Sequence, residues 1–104
     1  MKSFSLDDLV QLIDERASAT ADQSYTRTLL DSGMSRIAKK FGEESVELVI
    51  AAIEKNKNEV VTEAADVFYH LLVLLRGSNV KLSDVVAELG RRTGQSGLSE
   101  KASR

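Results

Sequence analysis

The chain has 104 residues, contains no cysteine and carries a formal charge of −2. This length predicts a single domain. The absence of cysteine excludes a disulfide framework and a thiolate metal site. Because the charges nearly balance, the chain lacks the basic surface typical of nucleic-acid-binding proteins. The longest near-apolar run, Val67–Leu75, is far shorter than the roughly 20 residues of a membrane-spanning helix. We therefore expect a soluble, cytoplasmic protein that binds neither nucleic acid nor membrane.

The first segment predicts an amphipathic helix. Proline is absent from the whole chain and apolar residues recur at helical rather than alternating spacing, which indicates an all-α fold. Ser5 stands where it can cap this helix, and Asp8 occupies the capping-box position. Residues 17–23 are small and polar and predict a loop. The apolar stripe of the helix consists of Leu6, Leu9, Val10, Ile13 and Ala17.

The middle of the chain predicts a short helix followed by two long ones. Ser24 is expected to cap the short helix, which runs from Tyr25 to Ser32 and is ended by Gly33. The long helices are predicted at about Ser35–Lys55 and Glu59–Arg76, with residues 56–58 as their connection and Gly77 as the final C-cap. A connection this short makes the two long helices antiparallel neighbours.

A last short helix is predicted from a cap at Ser83 to about Arg92. We expect one domain over residues 1–92. The Gly- and Ser-rich residues 93–104 are expected to form a flexible tail.

The second long helix is apolar on nearly every side, and a helix of that kind is normally buried all round. Two long helices with short flanks cannot cover it. The predicted architecture is therefore an antiparallel helical hairpin with short flanking helices, completed into a helical bundle by dimerisation.

Acidic residues form a narrow stripe on each long helix. Glu63 and Asp66 share one face of the second helix, and Glu43, Glu44 and Glu47 lie on one arc of the first. The two stripes fall at similar levels of the hairpin and would meet if they faced each other. A solvated surface is the alternative for the three glutamates of the first helix. It fits the second helix less well, because a solvated face should be broad and mixed in charge, whereas this stripe is narrow and almost purely acidic. Carboxylates that face one another in a partly dry groove repel, and protonation or a divalent cation would relieve that repulsion.

Paired carboxylates at i, i+3 spacing on facing helices can bind a metal ion. Oxygen ligands without thiols suit Mg²⁺, or alternatively Mn²⁺. A di-iron centre would require Glu-x-x-His, which is not the pattern here. His70 is expected to be a buried, hydrogen-bonded core histidine, with support of a ligand or direct ligation as alternatives. Lys40 shares the carboxylate face and is a candidate for binding phosphate.

These acids carry a family resemblance. Glu44-Ser-Val-Glu47 and Glu63-Ala-Ala-Asp66 resemble the ExxE…ExxD pattern of the all-α nucleoside triphosphate pyrophosphohydrolases (MazG-like). Within that group, the chain resembles the phosphoribosyl-ATP pyrophosphohydrolase family of histidine biosynthesis. The resemblance covers about residues 6–92 and is carried by the stretches SYTRTLL (24–30), RIAKKFGEESVE (36–47) and EAADVFYHLLVLL (63–75). Phe41 departs from the smaller aliphatic residue expected before GEE.

The resemblance implies an activity. A member of this family hydrolyses 1-(5-phosphoribosyl)-ATP to 1-(5-phosphoribosyl)-AMP and pyrophosphate with Mg²⁺, the second step of histidine biosynthesis. It also implies a helical bundle built from at least two copies of the chain.

The resemblance further implies roles for individual residues. The metal ligands would be Glu44, Glu47, Glu63 and Asp66. Either Glu47 or Glu43 would orient or deprotonate the attacking water, and spacing does not choose between them. Tyr25 would line the substrate pocket, with packing at a helix start as an equal alternative. The phosphate-binding candidates are Lys40 and, after it, Lys39, Arg27 and Arg91.

The sequence is also compatible with two other functions. The same fold and metal chemistry could serve another nucleotide, such as dUTP, dCTP or a damaged triphosphate. A non-catalytic helical dimer could instead use the acidic groove to bind a partner or to sense a metal.

Overall fold

The computed structural model describes residues 3–20 and 23–94, which form five helices and no strand. The all-α prediction is therefore confirmed. Most of the predicted flexible tail, residues 95–104, lies outside the described residues. The helices are α1 (Leu6–Ala17), α2 (Tyr25–Asp31), α3 (Met34–Ile53), α4 (Lys57–Gly77) and α5 (Leu82–Thr93).

The first two helices begin at the predicted caps. The Ser5 hydroxyl accepts from the Asp8 amide at 3.1 Å, and the Ser5 amide donates to the Asp8 carboxylate at 3.0 Å. The two residues thereby satisfy amides that have no partner inside the helix. The Ser24 hydroxyl accepts from the Arg27 amide at 3.1 Å. Gly33 then separates α2 from α3 with a φ of 92°, a conformation that is essentially restricted to glycine.

The hairpin turn between α3 and α4 lies earlier in the chain than predicted. Lys55 adopts a φ of 59°, and the Asn56 amide donates to the Ala51 carbonyl at 3.2 Å, which ends α3 in a Schellman motif. The Asn56 side chain accepts from the Glu59 amide at 3.2 Å. Asn56 therefore caps α4, and the helix starts at Lys57 rather than at Glu59.

Two predicted cap positions are wrong. Gly77 is the last residue of α4 rather than its C-cap, because Asn79 takes the left-handed conformation at φ 58° and closes the helix two residues later. Ser83 does not cap α5, which begins at Leu82 with Lys81 in the cap position and no side-chain cap. The Lys81 carbonyl already accepts from the Asp84 amide at 3.0 Å, so the helical turn forms before Ser83 could cap it.

The core lies where α1 and α2 pack against the α3–α4 hairpin. Its buried apolar side chains are Ile13, Leu29, Ile37, Leu72 and Val73. Thr26 is also buried, and its hydroxyl lies 2.6 Å from that of Tyr69 on α4. This hydrogen bond fixes α2 across α4 at the point where their aromatic side chains meet.

The single chain leaves part of the long helices uncovered. Ile53 and Val61 are 74% and 71% exposed, and Phe68 is 47% exposed. On α5, Val86 and Leu89 are also exposed. The helix predicted to be buried all round is therefore covered on one side only within a single chain. No helix among residues 3–20 and 23–94 has both the length and the hydropathy needed to cross a membrane.

Replacing either of two glycines by alanine should change the stability in opposite directions. Gly33 precedes α3, and Gly42 lies within it. Gly33→Ala should lower the free energy of unfolding by about 1 to 3 kcal/mol, since alanine is strained at this φ. Gly42→Ala should raise it by up to about 1 kcal/mol, because a Cβ there meets no atom within 4 Å and glycine weakens a helix interior. Urea denaturation of both variants tests this. A neutral Gly33→Ala would contradict the assigned backbone conformation.

Candidate active site

The acidic stripes of α3 and α4 meet across the hairpin. One carboxylate oxygen from each of Glu44, Glu63 and Asp66 lies within 4.8 Å of the others, and all three residues are half-buried. Glu63 and Asp66 are three residues apart and therefore share a face of α4. Glu44 reaches them from α3 because the antiparallel helices align these levels. We call these three residues the acid triplet.

Burial and repulsion act on the centre of this triplet. The pKa of Glu63 is raised from its ordinary 4.5, first by burial and then by hydrogen bonding with the Glu47 carboxylate. The negative charges of Glu47, Asp66 and Glu44 raise it further. Glu63 Oε2 is buried and has no hydrogen-bond partner among the described residues. A buried oxygen without a donor is costly, so Glu63 Oε2 is the point of the triplet that lacks a partner.

The donor set of the triplet fits a hard divalent cation. Its three members offer only carboxylate oxygens, and Mg²⁺ and Mn²⁺ favour such oxygen ligands. A bound cation would supply the missing partner of Glu63 Oε2 and remove the repulsion between the three charges. With a cation bound between them, these carboxylates could hold a polyanionic phosphate chain that they would otherwise repel.

Of the two other predicted acids, the structure places Glu47 beside the triplet. Glu47 is exposed, and it interacts directly with Glu63. Glu43 is exposed and contributes no oxygen to the triplet. Of the two candidates for orienting water, Glu47 is therefore the one in contact with the triplet.

His70 is buried, as the sequence predicted. It is 6% exposed, and its Nδ1 lies 2.8 Å from the Asp66 carbonyl oxygen. Because a carbonyl only accepts, Nδ1 carries the proton in this contact. The ring packs edge-on against Tyr69, with centroids 5.1 Å apart. His70 thus braces the helical turn that presents Asp66, and Nε2 has no hydrogen-bond partner among the described residues.

Lys40 connects the triplet to a neighbouring pocket. Its Nζ lies 3.6 Å from Glu44 Oε1. Lys40 also lines a pocket of about 280 Å³ between α2 and α3, together with Tyr25, whose ring stacks on Tyr69 at a centroid distance of 6.3 Å. A larger cavity of about 320 Å³ lies between α1, the end of α4 and the start of α5, and no member of the triplet lines it.

The remaining predicted cations make no ion pair with the triplet among the described residues. Arg27 pairs with Asp31 at 3.1 Å and donates to a backbone carbonyl at 2.9 Å. Lys39 is exposed and lines neither pocket. Arg91 pairs with Glu88 at 2.7 Å on α5, and together with Arg92 it holds the pKa of Glu88 at about 2.

Arg36 lines the pocket although it was not among the predicted phosphate-binding cations. Arg36 stands one helical turn before Lys40, and both residues line the pocket beside Tyr25. The i, i+4 spacing of the two cations was visible in the sequence. Their convergence on a pocket depends on the packing of α2 against α3, which the spacing alone does not give.

The sequence pattern of the phosphoribosyl-ATP pyrophosphohydrolase family matches residues 6–93. The chain belongs to this family. The match spans α1 to α5 and therefore includes the acid triplet and the Tyr25–Lys40 pocket. Family membership confirms the resemblance that the three sequence stretches carried.

Individual relatives agree with the family assignment over the full length of the chain. Phosphoribosyl-ATP pyrophosphatase 1 of Bradyrhizobium diazoefficiens is 54% identical over 104 residues, covering 100% of this chain and 98% of the relative. The phosphoribosyl-ATP pyrophosphatase of Agrobacterium fabrum is also 54% identical, and the match covers 100% of this chain and 97% of the relative. A further relative, phosphoribosyl-ATP pyrophosphatase 1 of Rhodopseudomonas palustris, is 52% identical over the whole chain.

The raised pKa of Glu63 gives a pH-dependent stability prediction. When folding raises the pKa of a carboxyl group, the folded state loses stability as the pH rises from the unfolded pKa, here 4.5, through the folded pKa. In the presence of EDTA, the Tm of Glu63→Gln should therefore exceed that of the wild type near neutral pH, and the difference should shrink toward acidic pH.

Glu59→Gln is the matched control, since it removes an exposed carboxylate of α4 that is not part of the triplet. Melting curves followed by circular dichroism across this pH range give the comparison. An equal Tm for Glu63→Gln and wild type at every pH would show that the triplet is not strained by repulsion.

Proposed function

We propose that this chain hydrolyses 1-(5-phosphoribosyl)-ATP to 1-(5-phosphoribosyl)-AMP and pyrophosphate in histidine biosynthesis, with Mg²⁺ as its cofactor. The observation that carries the proposal is the acid triplet, which lies within the family match. Relatives named for this activity are 54% identical over the whole chain. The cytoplasmic location expected from the sequence remains a prediction.

The triplet is the proposed cation site. Glu44, Glu63 and Asp66 would hold the Mg²⁺, and Glu47 would complete the set where it contacts Glu63. When bound, the cation neutralises charge on the triphosphate oxygens. The three side chains come from two helices fixed by the hairpin, so their relative positions are set before substrate binds.

Glu47 is the proposed water-orienting acid. Its side chain is exposed and adjacent to Glu63, so it can accept a hydrogen bond from a water molecule at the edge of the triplet. That water would attack the α-phosphorus in line with the bond to the β-phosphate, and pyrophosphate would leave with the bridging oxygen. Glu43, one turn earlier on α3, is the alternative for this role.

Lys40 is proposed to contact a phosphate oxygen. Its ammonium group already lies beside Glu44 and is about one-third exposed, so it can turn toward an anion that enters the groove. A lysine at this position offsets the charge of a substrate that must approach a cluster of carboxylates.

We further propose that the enzyme is a homo-oligomer, at least a dimer. Exposed apolar side chains on the hairpin and on α5 include Val49, Ile53, Val61, Phe68 and Val86. Burying such a surface against a second copy would complete a helical bundle.

Substrate selectivity tests the proposed activity. Pyrophosphate release should be seen with 1-(5-phosphoribosyl)-ATP and Mg²⁺, and should be at least about tenfold slower with ATP or dUTP. EDTA should abolish it. Release only from ATP or dUTP would keep the cation site and reject the substrate, whereas no release from any nucleotide would favour a non-catalytic dimer.

The triplet variants connect activity with the site. Asp66→Asn and Glu44→Gln should each lower kcat/KM by about 100-fold or more, because a lost ligand disturbs both the cation and the phosphate that it holds. Glu59→Gln should keep wild-type kcat/KM. Full Mg²⁺-dependent activity of Asp66→Asn would contradict the cation assignment.

Solution mass tests the oligomer. Light scattering should give at least twice the 11.4 kDa chain mass. Phe68→Asp should shift the protein toward the monomer, because a charge would have to be buried in the interface. Thr62→Asp adds the same charge at an exposed polar position of α4 and should leave the mass unchanged. A monomeric wild type would contradict the proposal.

A further inference from the structure

The pocket beside the triplet has a composition suited to an anion. It is about 280 Å³ in volume, and its walls come from α2 and α3. None of its lining residues is acidic. They are Tyr25, Thr28, Leu29, Ser32, Arg36 and Lys40, so two cations and three hydroxyl-bearing side chains surround a single apolar contact.

Arg36 is the pocket cation that is not paired with a member of the triplet. Lys40 already lies 3.6 Å from Glu44. No ion pair joins Arg36 to an acidic residue within the described part of the chain, and its side chain is exposed at the pocket. A guanidinium group presents a planar fork of donors that matches two oxygens of a phosphate. Arg36 is thus an exposed cation at the pocket that is available to a ligand.

One wall of the pocket is a braced aromatic ring. Tyr25 is 56% exposed, and its inner face stacks on Tyr69 at an interplanar angle of 25°. Tyr69 is in turn tied to the buried Thr26 at 2.6 Å. An exposed ring held in this way is suited to stacking on a base or to packing against a sugar.

The pocket lies at a fixed offset from the triplet. Arg36, Lys40 and Glu44 follow one another at four-residue steps along α3, so Arg36 and Glu44 are about 12 Å apart along the helix axis. The substrate of the proposed reaction has two anionic ends. Its triphosphate belongs at the cation site, and its second phosphate is separated from it by two riboses and an adenine.

We propose that this pocket receives the phosphate of the phosphoribosyl group, with Arg36 as its charged partner and Tyr25 as the wall beside the sugar and base. The inference rests on the proposed function and explains why the enzyme would prefer 1-(5-phosphoribosyl)-ATP to ATP. ATP lacks the second phosphate and cannot use Arg36. A site built around a polar group of the substrate discriminates against analogues that lack that group.

Arg36→Met tests this assignment. Losing a charge-assisted hydrogen bond to the phosphate should lower kcat/KM for 1-(5-phosphoribosyl)-ATP by about 10- to 100-fold. Arg36→Lys keeps the charge without the fork and should lose less. Lys57→Met is the matched control because it removes a cation at the opposite end of the hairpin, about 30 Å from Arg36 along α3 and its turn.

Two inhibitors identify which end of the substrate the pocket binds. Ribose 5-phosphate should inhibit the wild type and the Lys57→Met control, and its inhibition should be lost in Arg36→Met. Inhibition by pyrophosphate should be the same in all three proteins. Circular dichroism of each variant shows that the fold is retained, as expected for an exposed side chain.

The outcomes separate this inference from the proposed function. An active wild type whose kcat/KM is unchanged by Arg36→Met would overturn the inference and leave the function intact. If Arg36→Met lost inhibition by pyrophosphate as well as by ribose 5-phosphate, the inference would also be overturned, because Arg36 would then contact the triphosphate. A wild type with no activity on 1-(5-phosphoribosyl)-ATP would overturn the function and the inference together.

Discussion

Electrostatic repulsion between carboxylates on two antiparallel helices is the constraint around which this structure is arranged. The α3–α4 hairpin could bury its acids apart from one another, yet it brings Glu44, Glu63 and Asp66 within 4.8 Å. Burial and the neighbouring charges raise the pKa of Glu63, whose Oε2 has no donor among the described residues. A fold tolerates such a cluster when a ligand or cation compensates it, which is common at functional sites.

The surrounding elements hold that cluster in place. The turn at Lys55 and Asn56 fixes the register of the hairpin, and His70 braces the backbone that presents Asp66. On the other side, α2 is tied to α4 through Thr26 and Tyr69. That contact holds one wall of the pocket beside the triplet, and Lys40 connects the pocket to the cation site.

Much of this arrangement could be predicted from the sequence, because it depends on local chemistry. The caps at Ser5 and Ser24 require only a hydroxyl before an apolar run, and the meeting of the acidic stripes follows from helical spacing and a short connection. Ser83 failed as a cap because the turn had already formed at Lys81, a choice that depends on backbone conformation rather than residue type. The position of Arg36 at the pocket was not predicted, because the pocket forms only where α2 packs against α3. The spacing of residues along the chain does not show how the two helices pack.

A crystal of the protein soaked in Mn²⁺ would show whether the acid triplet is a cation site. We expect an anomalous difference peak about 2.1 Å from carboxylate oxygens of Glu44, Glu63 and Asp66, weakened by competing Mg²⁺. Metal-free crystals provide the baseline. A peak elsewhere, or clear density for the three side chains with no peak between them, would rule out a cation site at the triplet.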